Sequence, residues 1–106
     1  MSDFLYSGAE RRNAARTPIA VSATLRASGG HRINVALKDI SEIGFRCEYA
    51  SDLRVGEQMW LKFNDFEAME VEVIRREGYD YGLSFLRPLH TAMLDHIVSR
   101  YAHALA

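Results

Sequence analysis

The sequence lacks the features of a secreted or membrane-spanning protein. Cys47 is its one cysteine, so no disulfide can form within the chain. Its longest uncharged stretch, residues 17–25, is much shorter than the roughly 20 apolar residues that cross a bilayer. The first residues show neither the basic segment nor the apolar segment of a signal peptide. We therefore expect a cytoplasmic protein without membrane insertion.

Lysine is also scarce. Lys38 and Lys62 are the two lysines among 13 basic residues, and the formal net charge is −1. Proteins that bind nucleic acid polymers carry a basic excess, and small barrels that bind single strands carry lysines and aromatic residues on one face. The sequence offers neither, so we expect no nucleic acid polymer as a partner. A local arginine cluster that holds one small anion is compatible with this charge balance.

Patterns of catalysis and metal binding are missing as well. No two of the four histidines have the i, i+4 spacing that places two ligands on one helical face, and Cys47 has no second cysteine as a partner. No pairing of a nucleophile with a base is visible either. We expect neither a metal site nor an enzyme. The histidines are His31, His90, His96 and His103.

The sequence does contain a regular alternation of apolar and polar residues in six short runs, which is typical of half-buried strands. No helical pattern separates the runs, which favours an antiparallel barrel or small sandwich over a parallel α/β sheet. After Pro88 the apolar spacing becomes that of an amphipathic helix. The six runs begin at Ile19, Ile33, Phe45, Met59, Met69 and Tyr81.

We expect a six-stranded antiparallel β-barrel followed by a C-terminal α-helix, all within one domain, because a chain of 106 residues is the size of a single core. Residues 1–17 are predicted to be a flexible N-terminal arm, residues 18–88 the barrel and residues 89–106 the helix. The alternation places Trp60 on the outer face. There it either packs beneath the helix or belongs to a partner surface.

Two polar motifs stand outside the strand pattern, Arg12 to Arg16 (RNAAR) and Asp39 to Gly44 (DISEIG). Arginine binds phosphate or the O6/N7 edge of guanine with two parallel hydrogen bonds, and it stacks on bases. The Asp39 carboxylate can accept from guanine N1–H and N2–H₂, and the Ser41 hydroxyl can donate or accept. The motifs are suited to surround a guanine nucleotide. A solvated basic tail and a capped turn are the alternative interpretations.

The order RxxxR and then [D/N]xSxxG resembles the signature of PilZ domains, which are bacterial receptors for the second messenger cyclic di-GMP. The closing YGLSF run also looks like the last strand of their six-stranded barrel. The resemblance implies that the arm folds over one face of the barrel, where its arginines grip guanine and phosphate. It also implies that Asp39 and Ser41 read the base and that Gly44 shapes the loop. The motif residues are Arg12, Arg16, Asp39, Ser41 and Gly44.

Two further arginines are candidate ligand contacts. Arg11 stands directly before the first motif, where an arginine in this family accompanies binding of an intercalated ligand dimer. A dimer carries four phosphate charges, so an additional guanidinium is physically sensible, and the resemblance implies two ligands per protomer. Arg75 is near the end of the fifth strand, where it either stacks on an outer base or is an ordinary exposed charge.

The resemblance thus implies a cyclic di-GMP receptor or adaptor without a cofactor and without catalytic activity. Ligand binding would order the N-terminal arm and create a surface for an unidentified downstream protein, in control of motility, exopolysaccharide synthesis or biofilm formation. The alternative is a PilZ-fold interaction module that works without nucleotide. The intact motifs favour the receptor.

Overall fold

The computed structural model describes residues 15–27, 29–64 and 66–101. Within these ranges it contains the six predicted strands and the predicted C-terminal helix. Most of the predicted N-terminal arm and residues 102–106 lie outside the described residues. The elements are β1 Thr17–Ala27, β2 Arg32–Ile40, β3 Gly44–Glu48, β4 Gln58–Lys62, β5 Met69–Glu77, β6 Asp80–Phe85 and α1 Thr91–Tyr101.

The strands form a closed barrel in the order β1-β2-β3-β6-β5-β4, and every neighbouring pair is antiparallel. β1 closes the barrel because it pairs with β2 along most of its length and with β4 from Thr24 to Ala27. Closure satisfies strand edges that would otherwise be open to solvent or to another chain. The predicted six-stranded antiparallel barrel with a C-terminal helix is confirmed.

The alternation of the sequence accounts for the core, because every second side chain of a strand points to the same face of the sheet. Leu25, Leu61, Val71, Val73 and Tyr81 are fully buried, each with 0% of its surface exposed. Tyr81 also joins two parts of the chain, since its hydroxyl donates to the Ser51 carbonyl at 2.6 Å. The barrel interior is thus a packed apolar core.

Helix α1 packs against β1 and against the connection between β4 and β5. Ile97 is fully buried. The ring of Tyr101 lies 5.9 Å from that of Phe63, and the ring of His96 lies 5.5 Å from that of Phe66. The apolar face that the sequence predicted is therefore the face that joins the core. In the part of the chain that the structure describes, no helix has the length and apolar character needed to span a bilayer.

Three β-bulges interrupt the strand alternation around one end of the barrel. A bulge inserts one extra residue, so the side chains beyond it change face. Asp39 and Arg75 therefore face the outside of the barrel, although each stands two positions after an inward-facing residue. The bulges fall between Pro18 and Val21, between Leu37 and Asp39, and between Val73 and Arg75.

Some predicted boundaries differ from the structure. The sequence placed Asp39 to Gly44 in a turn, but Asp39 and Ile40 belong to β2 and Gly44 begins β3. Strand pairing reaches further than the turn-forming residue types suggest, because Asp39 finds a partner in Arg46 of β3. β1 begins one residue before the predicted barrel start at 18, and α1 runs over residues 91–101 within the predicted 89–106.

Trp60 lies half-buried on the outer face of β4, as the alternation predicted. It borders a shallow depression together with Leu86 and Arg87, which follow β6 and precede α1. An apolar side chain at such a position is common on protein surfaces.

Candidate functional site

A cavity of about 700 Å³ lies beside the β2–β3 turn, where β3, β6 and β5 are neighbours. Its size is within the usual range for small-molecule sites. The cavity joins segments that are far apart in the sequence, which is possible because β3 pairs with β6 and β6 with β5. Its lining residues are Ala15, Arg16, Ser41, Ile43, Gly44, Phe45, Ile74, Arg75, Gly82, Leu83 and Ser84.

Most of the predicted site residues that the structure describes meet at this cavity. Arg16, Ser41, Gly44 and Arg75 belong to its lining. Asp39 is next to it, because its Oδ1 lies 3.8 Å from Nε of Arg16. The two remaining predicted residues, Arg11 and Arg12, lie outside the described residues.

Asp39 carries a buried carboxylate with one oxygen in a hydrogen bond and the other in a longer ion-pair contact with Arg16. Its Oδ2 accepts a hydrogen bond from Nε of Arg46 at 3.0 Å. Its Oδ1 is buried and has no hydrogen-bond partner among the described residues, and the residue as a whole is 7% exposed. Because buried polar atoms are nearly always paired, an oxygen in this state is suited to accept an N–H from a bound molecule.

The Ser41 hydroxyl holds the β2–β3 turn. It accepts hydrogen bonds from the backbone N–H groups of Ile43 and Gly44, both at 3.2 Å, and donates to the Gly44 carbonyl at 3.3 Å. Ser41 is buried, so these bonds are protected from water. They use the one donor and both acceptor positions of the hydroxyl. In this arrangement Ser41 shapes the cavity wall by fixing the turn, which agrees with the capped-turn interpretation of the motif.

Gly44 lies where β3 comes closest to β6. A Cβ atom at this position would overlap the carbonyl oxygen of Leu83. The sequence predicted a backbone turn or a close approach at Gly44, and the structure contains the close approach. Any larger residue would push β3 and β6 apart at the cavity wall.

The exposed Arg75 side chain lies along the outer face of the barrel. Arg75 of β5 and Arg46 of β3 pair with Gly82 of β6 from its two sides. The Arg75 side chain lies over Gly82, with Nε 3.6 Å from the position a Cβ would occupy there. A glycine between two arginines leaves room for the guanidinium to lie flat on the sheet. The position of Arg75 in the cavity wall is consistent with a ligand contact.

The charges of the cavity favour an anion. Arg16 and Arg75 are its charged lining residues, and no carboxylate belongs to the described lining. Lys38 is committed elsewhere, because its ammonium donates to Glu48 at 3.1 Å and to Asp80 at 3.4 Å. The hydrogen bonds to Glu48 and Asp80 raise the pKa of Lys38 above its ordinary value. Arginine, with its planar fork of donors, is therefore the cation available to a ligand here.

Apolar side chains flank these arginines. Ile43 in the turn and Ile74 at the β5 bulge are 44% and 54% exposed, and both line the cavity. Exposed branched side chains beside guanidinium groups suit a ligand that has flat, weakly polar rings as well as negative charge. Within the described ranges no three His, Cys, Asp or Glu side chains are grouped so that they could hold a metal ion.

The sequence interpretation missed several residues of the site. Arg46 was not singled out, because its partner Asp39 follows from a bulge in another strand, which alternation cannot predict. Ile43, Ile74 and Gly82 were not singled out because none has a side chain that suggests chemistry. Ile74 follows the core residue Val73 at an outward position, where the alternation of this strand places polar residues. An apolar residue at that position was the available signal.

The fold and the cavity together define a small β-barrel with the site of a ligand-binding module. The family model described as PilZ domain matches residues 10–102, a range that also contains Arg11 and Arg12. The chain therefore belongs to the PilZ domain family, whose members are binding and adaptor domains and in general receptors for cyclic di-GMP. The resemblance drawn from the sequence is confirmed. No curated protein matches the chain.

Proposed function

We propose that this protein is a receptor for cyclic di-GMP and binds the dinucleotide in the cavity beside the β2–β3 turn. The observation that supports this most is the Asp39 carboxylate, whose buried Oδ1 has no hydrogen-bond partner among the described residues and lies 3.8 Å from Arg16 Nε. Guanine presents N1–H and N2–H₂ donors on one edge, and a carboxylate oxygen accepts from such donors. Asp39 thus reads the base from the barrel side.

The arginines bind the rest of the ligand. Arg16 and Arg75 are in the cavity lining, and Arg11 and Arg12 precede Arg16 closely in the sequence. Guanidinium groups form paired, charge-assisted hydrogen bonds with phosphate and with the O6/N7 edge of guanine, and they stack on bases. Arg75, flat against Gly82, stacks on an outer base. The additional guanidinium of Arg11 suits the four phosphate charges of an intercalated ligand dimer, so two ligands bind per protomer.

The protein acts as an adaptor rather than as an enzyme. Ligand contacts with Arg11 and Arg12 fix residues 1–17 over the barrel, while Asp39 and the β2–β3 turn belong to the barrel itself. Ligand binding therefore links the ordering of the arm to the barrel surface that the arm covers. This is a local disorder-to-order switch that changes the surface offered to a partner. The surface formed in this way is recognised by a downstream protein in control of motility, exopolysaccharide synthesis or biofilm formation.

The test is isothermal titration of cyclic di-GMP into the wild type and into Arg12→Ala and Arg16→Ala. The matched control is Arg32→Ala, which removes the same charge at the far end of β2, about 23 Å from Asp39 at roughly 3.3 Å per residue. We expect binding to the wild type with a stoichiometry of two. Each of the first two variants loses about tenfold or more in affinity, and Arg32→Ala stays within about twofold.

Two further titrations define the specificity. GTP and cyclic di-AMP are expected to give no heat, because neither has both a guanine edge and the cyclic diphosphate. If cyclic di-GMP itself produces neither heat nor chemical-shift changes at micromolar protein, the receptor proposal is wrong. The protein would then be an interaction module that works without nucleotide.

A further inference from the structure

Arg46 is outside the predicted motifs and outside the cavity lining, yet it makes the shortest polar contact of the Asp39 side chain. We infer that Arg46 is a positioning residue that gives the site its preference for guanine, because it holds the Asp39 carboxylate in the one orientation that leaves Oδ1 without a hydrogen bond on the side of Arg16. The inference rests on the proposed function. It assigns a specificity role to a residue of β3 that itself touches no ligand.

The backbone brings the two side chains together. The bulge in β2 shifts the register by one residue, so that Asp39 faces Arg46 across the β2–β3 ladder. Without the bulge, the same ladder would pair Asp39 with the core residue Phe45. The carboxylate would then point into the apolar interior, where an ionised group is not tolerated. The bulge therefore turns Asp39 to the outside of the barrel, where Arg46 binds its carboxylate.

Arg46 also decides which oxygen of Asp39 is free. Rotation about the last bond of an aspartate side chain is broad and nearly two-fold, so a carboxylate without a fixed partner has no single orientation. The Arg46 Nε–H bond to Oδ2 at 3.0 Å selects one orientation. Oδ1 then lies 3.8 Å from Nε of Arg16. Because Arg16 lines the cavity, this oxygen is on the cavity side of the Asp39 carboxylate.

Arg46 gains importance when ligand is bound. In the structure two guanidinium groups face the Asp39 carboxylate, those of Arg46 and Arg16. Phosphate competes with Asp39 for Arg16, since both are anions that the same fork can bind. Once Arg16 has turned to phosphate, Arg46 is the remaining described partner of a carboxylate that is nine-tenths buried. A buried carboxylate that loses both partners no longer acts as a well-placed acceptor.

The experiment compares cyclic di-GMP with cyclic di-IMP, whose hypoxanthine base lacks the N2 amino group but keeps N1–H and both phosphates. We expect the wild type to bind cyclic di-GMP at least about tenfold more tightly, because Asp39 Oδ1 accepts from N1–H alone in cyclic di-IMP and loses the charge-assisted hydrogen bond from the N2 amino group. In Arg46→Ala the preference falls to within about twofold. Arg46→Lys keeps the charge but not the planar guanidinium fork. We expect it to bind both dinucleotides more tightly than Arg46→Ala does, while its preference for cyclic di-GMP stays below that of the wild type.

Arg76→Ala is the matched control. Arg76 is also a strand arginine in an ion pair, with Asp52 at 2.8 Å, and its side chain is 34% exposed against 36% for Arg46. It is absent from the cavity lining, so its loss leaves both affinities and their ratio unchanged. A role of Arg46 in stability alone would weaken the two ligands equally and keep the ratio.

The outcomes separate this inference from the proposed function. If the wild type binds cyclic di-GMP and Arg46→Ala keeps the wild-type preference, Arg46 is not a positioning residue, whatever happens to affinity. If the wild type binds neither nucleotide, the receptor proposal fails and the inference with it. Unfolding midpoints of the two arginine-to-alanine variants establish that each is folded during the titrations.

Discussion

Gly44 in β3 lies directly against the carbonyl oxygen of Leu83 in β6, with no room for a Cβ atom between them. The approach is backbone against backbone, so neither partner can move away by changing a rotamer. This close contact is part of the cavity wall, because Gly44 and Leu83 both line the cavity. The glycine of the second motif is thus required by the barrel itself, whatever the ligand.

Gly44→Ala is therefore expected to lower the free energy of unfolding by about 3 kcal/mol through backbone displacement. Gly82→Ala is the control in the adjacent strand, since a Cβ there meets the Arg75 side chain at 3.6 Å, an ordinary contact distance. It should change stability by less than about 1 kcal/mol. Urea denaturation followed by the fluorescence of the single tryptophan, Trp60, measures both. Equal midpoints would show that β3 and β6 are not closely packed at Gly44.

A second prediction concerns the fully buried Tyr81. Its hydroxyl donates to the Ser51 carbonyl at 2.6 Å and accepts from the Leu53 N–H at 3.1 Å, so it fixes the segment between β3 and β4. Tyr81→Phe leaves both backbone groups without this partner and should cost about 2 kcal/mol of stability.

The matched control is Tyr79→Phe, because Tyr79 is two residues away and is largely exposed. We expect it to change the free energy of unfolding by less than about 0.5 kcal/mol. The same urea titration compares the two variants. If both lose the same amount of stability, the Tyr81 hydroxyl does not hold the segment as the structure indicates.

Cys47 should be an unreactive thiol in the folded protein. Burial, with smaller contributions from the charges of Asp80 and Glu48, raises its pKa from 9.0 to about 12. Since the thiolate is the nucleophile, roughly one molecule in 10,000 is reactive at pH 8. We expect Ellman's reagent to modify the native protein at least about a hundredfold more slowly than the urea-unfolded chain. Rapid native modification would contradict the burial of Cys47.

The same pKa shift has a consequence for stability at high pH. The folded protein holds the Cys47 proton more tightly than the unfolded chain, so this contribution is fully present below about pH 9. It is lost as the pH rises from 9 towards 12. Cys47→Ala should therefore lose stability less steeply over this range than the wild type, measured by urea denaturation at successive pH values. Parallel losses would show that Cys47 titrates alike in both states.

Arg75 and Arg76 allow the predicted ligand contact to be tested within one strand. Arg75 lies over Gly82 in the cavity wall, whereas Arg76 pairs with Asp52 outside the cavity. Arg75→Ala should weaken cyclic di-GMP about tenfold, because a stacked or phosphate-binding guanidinium is lost. Arg76→Ala removes the same charge and should leave the affinity within about twofold. Similar losses in both variants would point to overall charge rather than to a contact of Arg75.

Much of the fold was predictable because strand patterning is local. Alternation around Phe45, Cys47 and Tyr81 identified strands and buried faces, and the helical spacing after Pro88 identified α1. Arg16, Ser41, Gly44 and Arg75, which the sequence predicts as site residues, line one cavity in the structure. Their ligand contacts stay predictions, as do those of Arg11 and Arg12.

The turn at Asp39 was predicted less well. Aspartate, serine and glycine are typical turn formers, but Asp39 continues β2 because its backbone and side chain find partners in β3. The Ser41 hydroxyl holds the turn, which is compatible with the predicted contact to the base. Both arrangements depend on hydrogen bonds between residues that the path of the backbone brings together.

The six strands, the helix, the motifs and the family can be recognised from the sequence, because they depend on the order and spacing of residue types along the chain. The bulges, the pairing of Asp39 with Arg46, the position of Arg75 over Gly82 and the cavity beside the β2–β3 turn become apparent only in the folded chain. A bulge forms where two strands must keep their core residues aligned across a ladder, so its location depends on both strands and on barrel closure. That information is not contained in the periodicity of either strand alone.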